Sequence, residues 1–167
     1  MGQISSEFHN AILKAIDLLS QVPDDAIQYL VNGMPDTVTL YGDPTASPSQ
    51  AAAGGCAHCT YLGLWADAWP HHKIGKHGAI WLFENGIRQM GQGQYDDLVA
   101  WDGRPLKGTA QAPDQLTSNT YEVLLHELGH ALNRDHVLDE VERLRAQGYS
   151  SPSSARGCGV CPGRSWS

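Results

Sequence analysis

Asn119-Thr120-Tyr121-Glu122-Val123-Leu124-Leu125-His126-Glu127-Leu128-Gly129-His130-Ala131-Leu132-Asn133-Arg134-Asp135-His136 is the stretch on which the reading of this chain turns. Asn119 can cap a helix, with Glu122 three residues on. Leu124, Leu128 and Ala131 then form one apolar stripe, widened by Leu125 and Leu132. His126 and His130 stand four residues apart, slightly more than one turn, so both imidazoles project from the same helical face. That spacing lets both reach one cation at about 2.0–2.1 Å. Glu127 is rotated from them by about 100°, toward a bound water and away from the ligand positions.

Two histidines leave such a site short of the three protein ligands usual for catalytic zinc. His136, six residues beyond His130, reaches the same point only if the helix ends and the chain turns back. Asn133 sits where that turn falls, and Asn tolerates the left-handed conformation of a helix C-terminus better than any residue but Gly.

The segment His126-Glu127-Leu128-Gly129-His130-Ala131-Leu132-Asn133-Arg134-Asp135-His136 resembles the zinc-binding signature of the metzincins, in the version of matrix metalloproteinases and related bacterial enzymes. The family usually has Gly at the position of Asn133. It also carries a Met in a tight turn after the third histidine, whereas Met1, Met34 and Met90 all precede His136. The resemblance implies a zinc-dependent endopeptidase acting on protein or peptide substrates. His126, His130 and His136 would hold the metal, and Glu127 would take a proton from the attacking water. It further implies a substrate lying extended along an edge strand that precedes the active helix. Ala79-Ile80-Trp81-Leu82-Phe83 is the strand expected there, although its apolar residues also suit a plain core strand. Two other readings stand beside this one. The first is a zinc peptidase whose third ligand is Glu140 or Glu142. The second is a non-catalytic binding module that zinc merely folds.

Outward from this segment, Ile4, Phe8, Ala11, Ile12, Ala15, Ile16 and Leu19 recur at helical spacing, with Ser5 or Ser6 as cap and Pro23 beyond the end. A helical turn is expected over 24–31. Thr37 to Tyr41 has the β-branched content of a strand. The Pro, Ser, Ala and Gly content of 42–55 predicts an exposed loop. After Phe83, Asn85-Gly86 favours a tight hairpin into Ile87 to Met90. One helical turn is expected near Asp96 to Trp101, and a helix after His136 through Val137, Leu138, Val141 and Leu144. The expected fold is α+β, with residues 1–167 as a single domain. A small mixed sheet would pack on the N-terminal helix and on the zinc-binding active-site helix.

Cys56-Ala57-His58-Cys59 and Cys158-Gly159-Val160-Cys161 each have the spacing of a metal knuckle. All four thiolates could hold a second, structural zinc; a disulfide framework is the competing expectation. A zinc finger made of Cys56, Cys59, His72 and His77 is disfavoured by Pro70 and by the glycines around His77. Asp67, His71, His72 and His77 suit a solvated glycine-flanked loop better than a further ion site. Trp65, Trp69 and Trp81 are core or cleft-wall residues.

The formal charge of −7 excludes a general nucleic-acid binder, which needs a basic face. No run approaches the roughly 18 apolar residues of a membrane-spanning helix. The loose N-myristoylation pattern at Met1 to Ser6 carries little weight. No secretory signal is visible, which fits a cytoplasmic protein or the mature form of an exported one. A monomer is expected.

Overall fold

Ser5 begins the structure by closing the first helix. In the computed structural model, which describes residues 2–23, 37–53, 60–66, 77–91, 95–131 and 155–160, Ser5 is extended and its hydroxyl accepts the Phe8 N–H. Helix α1 then spans Ser6–Ser20 and buries Phe8, Ala11, Ile12, Ala15 and Leu18. At about 100° per residue these five fall within one stripe, whereas Ile16 lies outside it and is exposed. The stripe is therefore turned toward Ala11 and Leu18 relative to the expected one.

Strands β1 (Thr37–Asp43), β2 (Thr60–Ala66), β3 (His77–Phe83) and β4 (Ala155–Val160) form a mixed sheet in the order β1-β3-β2-β4. β1 runs parallel to β3, while β2 is antiparallel to both β3 and β4. β3 is thus central, paired along both edges. This corrects the expectation that Ala79 to Phe83 offers an edge to a substrate, because β1 pairs with it along one edge and β2 pairs with Ala79 to Leu82 along the other. Its unbroken apolar run reflects burial on both faces. Ile80 and Leu82 join Leu62 and Trp65 beneath α1 and the long helix described below. Ala79, Trp81 and Phe83 join Tyr61 and Leu64 on the opposite face. Trp65 and Trp81 are both buried core residues, and Trp81 stacks on Tyr41 at 5.1 Å between ring centroids.

Two short helices stand where the sequence predicted loop and hairpin. α2 (Pro48–Ala53) lies within the expected loop of 42–55. The Ser47 hydroxyl accepts the Gln50 N–H, and the Gln50 side chain accepts the Ser47 N–H at 2.7 Å. This is a reciprocal capping box, with Pro48 at the first helical position where its missing N–H costs nothing. Ala51 is buried against the sheet, and its carbonyl accepts the Tyr61 hydroxyl at 3.0 Å. α3 (Glu84–Gln89) replaces the hairpin expected at Asn85-Gly86. Gly86 is needed there for close approach rather than for a turn, since a Cβ at this position would collide with the Tyr61 carbonyl oxygen.

The long helix α4 spans Gln115–Ala131. It begins five residues before the expected start, because Asp114 instead of Asn119 caps it, accepting the Thr117 N–H at 2.8 Å. Asn119, the expected cap, is buried inside the helix and donates to the Ile87 carbonyl oxygen at 3.4 Å. The segment 95–112 folds as turns instead of a helix, bridged at Val99–Pro105. Its Ala100, Leu106 and Ala112 cover Leu18 at the end of α1. The result is an α+β arrangement in three layers, with α1 and α4 on one face of the sheet and α2 on the other. No described helix is long and apolar enough to cross a membrane. The turn expected over 24–31 and the helix expected after His136 lie outside the described residues.

Glu84 ties this arrangement together from a distance. It accepts from the Ser5 N–H at 2.9 Å and from the Ser5 hydroxyl at 2.5 Å, and it pairs with Arg88 at 2.9 Å. A carboxylate from α3 thereby does for α1 what an acidic residue in the helix's own first turn does in a local capping box. Burial of Glu84 opposes its ionisation, but the Ser5 and Arg88 contacts outweigh that and hold its carboxyl below the ordinary range. The interaction is therefore present above the unfolded-state value and is lost as pH falls through the lower folded value. Glu84→Gln should cost about 1–3 kcal/mol at neutral pH. In urea unfolding across a pH series, the gap between wild type and Glu84→Gln should narrow on acidification below pH of about 4.

Candidate metal centre

The geometry of α4 follows from one angular fact, that successive side chains are rotated by about 100°. Leu124 and Leu128 turn toward the core shared with Phe8, Ile12 and Ala15 of α1. Glu127 points at the sheet, and His126 falls on the flank opposite Leu128. Val38 and Leu40 of β1 pack against that same core, and a Cβ at Gly42 would touch Ile12 and Phe8. α1 therefore covers β1, and the histidine flank of α4 faces the β4 side of the sheet.

On that flank the His126 and His130 Nε2 atoms lie 3.1 Å apart. The rings meet edge to face, with centroids at 4.9 Å. Two nitrogens at about 2.0–2.1 Å from one tetrahedral zinc would be separated by about 3.3–3.4 Å. At 3.1 Å the two nitrogens stand within hydrogen-bond distance of each other, slightly closer than two ligands of one zinc would be. His130 is buried and His126 half-exposed, which leaves the pair accessible from one side.

Glu127 is fully buried, and neither carboxylate oxygen has a hydrogen-bond partner among the described residues. Burial alone pushes its carboxyl well above the ordinary range. An uncompensated carboxyl in a core costs several kcal/mol, and buried polar groups are nearly always satisfied. Glu122, one turn before His126 on the same flank, also has one buried oxygen without a partner, and burial raises its carboxyl. This flank of α4 carries polar groups that packing does not explain.

The chemistry of the donors fits zinc. Two neutral imidazoles are borderline-soft ligands, and an adjacent carboxyl poised by burial is a competent proton acceptor. Among the described residues no group of three metal-ligating side chains is assembled. His136, Glu140, Glu142, Cys56, Cys59 and Cys161 lie outside the described residues, as do Asp67, Trp69, His71 and His72. Cys158 lies in β4, in register with Gly63 of β2. The structure therefore brings together the His126 and His130 imidazoles of the predicted site, while Glu127 lies on the neighbouring sheet-facing side of α4 against Gly63. Sequence reasoning missed Gly63, whose backbone runs directly over Glu127. The only signal for it was a glycine interrupting the apolar run Tyr61-Leu62-Gly63-Leu64-Trp65.

No family model, curated protein or solved structure matches the chain.

Replacing Glu127 by the similarly shaped, uncharged Met should make the metal-free protein more stable, by about 1–3 kcal/mol. Chemical denaturation of both proteins in the presence of a chelator provides the check, and a loss of stability would contradict the uncompensated burial described above.

Proposed function

We propose that this chain is a zinc-dependent endopeptidase of metzincin type, with His126, His130 and His136 as ligands and Glu127 as general base. The observation that carries the proposal is the approach of the His126 and His130 Nε2 atoms on the helix whose Glu127 carboxyl is buried without a hydrogen-bond partner among the described residues. A bound zinc would supply a water of lowered pKa and polarise the scissile carbonyl. Glu127 takes a proton from the attacking water and returns it to the leaving amine nitrogen.

The substrate strand expected along β3 is reassigned to the outer edge of β4, which has no strand partner among the described residues. That edge lies on the side of the sheet toward which the His126 and His130 flank is turned. An extended peptide pairing there would have its main chain held by the ladder and its side chains alternating outward and inward. The four cysteines, Cys56, Cys59, Cys158 and Cys161, are proposed to hold a second zinc of structural kind.

Metal analysis of the purified protein is the direct test. Wild type should carry two equivalents of zinc, and His126→Ala, His130→Ala and His136→Ala one each. A variant lacking all four cysteines should also keep one. Glu127→Gln should retain both equivalents, yet lose about 10²–10⁴-fold in kcat on an unstructured protein substrate. Full zinc content in His126→Ala and His130→Ala would end the proposal. Retention in His136→Ala alone would move the third ligand to Glu140 or Glu142. Zinc binding without any cleavage would leave a module folded by its metal.

A further inference from the structure

The position of Glu127 is set from outside its own helix. A Cβ built on Gly63 would lie 2.5 Å from Glu127 Oε1, 2.8 Å from Cγ and 2.9 Å from Cδ. All three are below the distance that real Cβ contacts show, so the side chain at 127 occupies the space that any side chain at 63 would need. Gly63 sits at an irregularity of the sheet: the β2–β4 register shifts between Tyr61 and Gly63. Tyr61 packs on the α2 face and Leu62 on the α4 face, and the extra residue brings Gly63 to the α4 face as well. The bulge and the missing Cβ together open a berth in an otherwise close-packed layer, since Leu62 and Trp65 on the same face are fully buried.

We infer that Gly63 is a positioning residue for the general base: the bulged β2 backbone holds the Glu127 carboxyl at a fixed depth beside the histidine pair. The inference rests on the proposed peptidase reading for its catalytic meaning and on geometry alone for the contact itself. A methyl group at position 63 meets Glu127 first and displaces its carboxyl into another rotamer. The metal site is then kept while the base is misplaced. A misplacement of about 1 Å is enough to cost on the order of 100-fold in rate.

Two measurements separate the contact from its catalytic role. The first is a double-mutant cycle in thermal unfolding, using Gly63→Ala, Glu127→Ala and the pair. Gly63→Ala should lower the midpoint by about 3 °C or more beside Glu127 and by much less beside Ala at 127, where the added methyl fills the vacated space. The second is steady-state cleavage with zinc analysis on the same proteins. Gly63→Ala should lose at least tenfold in kcat with KM and zinc content unchanged. Additive midpoints overturn the contact. Coupled midpoints with full activity in Gly63→Ala overturn the positioning role and leave a packing glycine. If wild type itself neither binds zinc at the histidines nor cleaves, the peptidase reading fails and the positioning role fails with it, even where the coupled midpoints show that the berth is real.

Discussion

A carboxyl occupies the place on α4 where an apolar side chain would ordinarily hold a helix to its sheet. Glu127 points into the layer between helix and sheet, fully buried and without a hydrogen-bond partner among the described residues. Close packing admits such a group only if a neighbour gives way, and here the neighbour is Gly63 in the bulged β2 strand. The rest of the arrangement accommodates this exception. Val123 and Leu124 carry the packing on either side of it, and Ile80, Leu82 and Trp65 supply the floor. The side of the helix toward Phe8, Ile12 and Ala15 of α1 is apolar, which leaves the other flank free for His126 and His130.

That division of labour along one helix has a thermodynamic consequence. Every turn of α4 near the site carries at least one group that burial penalises, and Asn119, Glu122 and Glu127 each keep a buried oxygen without a partner. The stabilisation must come from elsewhere: from the core on the α1 side, from the Asp114 cap, and from the remote tie of Glu84 to Ser5 that fixes α1 against α3. A helix optimised only for stability would carry apolar residues on this flank. Sites that depart from the rules of packing and polar satisfaction are where function is expected.

Much of this was legible in the sequence, for identifiable reasons. α1 showed a full-length 3.6-residue period and a serine cap, and β1 and β3 showed β-branched or unbroken apolar runs. The histidine pair was legible because i,i+4 spacing on a helix fixes a direction without any knowledge of the tertiary fold. β2 went unrecognised because Gly63 breaks its pattern, and that glycine is present for the sake of a side chain 64 positions away. α2 was hidden by composition: Ser47-Pro48-Ser49-Gln50 contains a capping box with proline at the first position, but the surrounding Pro and Ala content resembles a loop. Asn85-Gly86 has the composition of a hairpin turn, yet the glycine answers to the close backbone of Tyr61. Asn119 resembled a cap because nothing local distinguishes it from Asp114; only the contact with Ile87 does. The failures share a cause, in that each residue answers to a partner distant in the chain.

With β3 and β2 interior, the outer edges of β1 and β4 are the ones without a strand partner among the described residues. β4 follows α4 in the chain instead of preceding it. Its register places position 158 opposite Gly63, the residue that makes room for Glu127. One pair of neighbouring backbone positions therefore joins the berth of the proposed base to the edge on which a peptide would lie. The β-bulge at Gly63 sets the β2–β4 register, because the extra residue on β2 decides which positions of the two strands stand opposite each other.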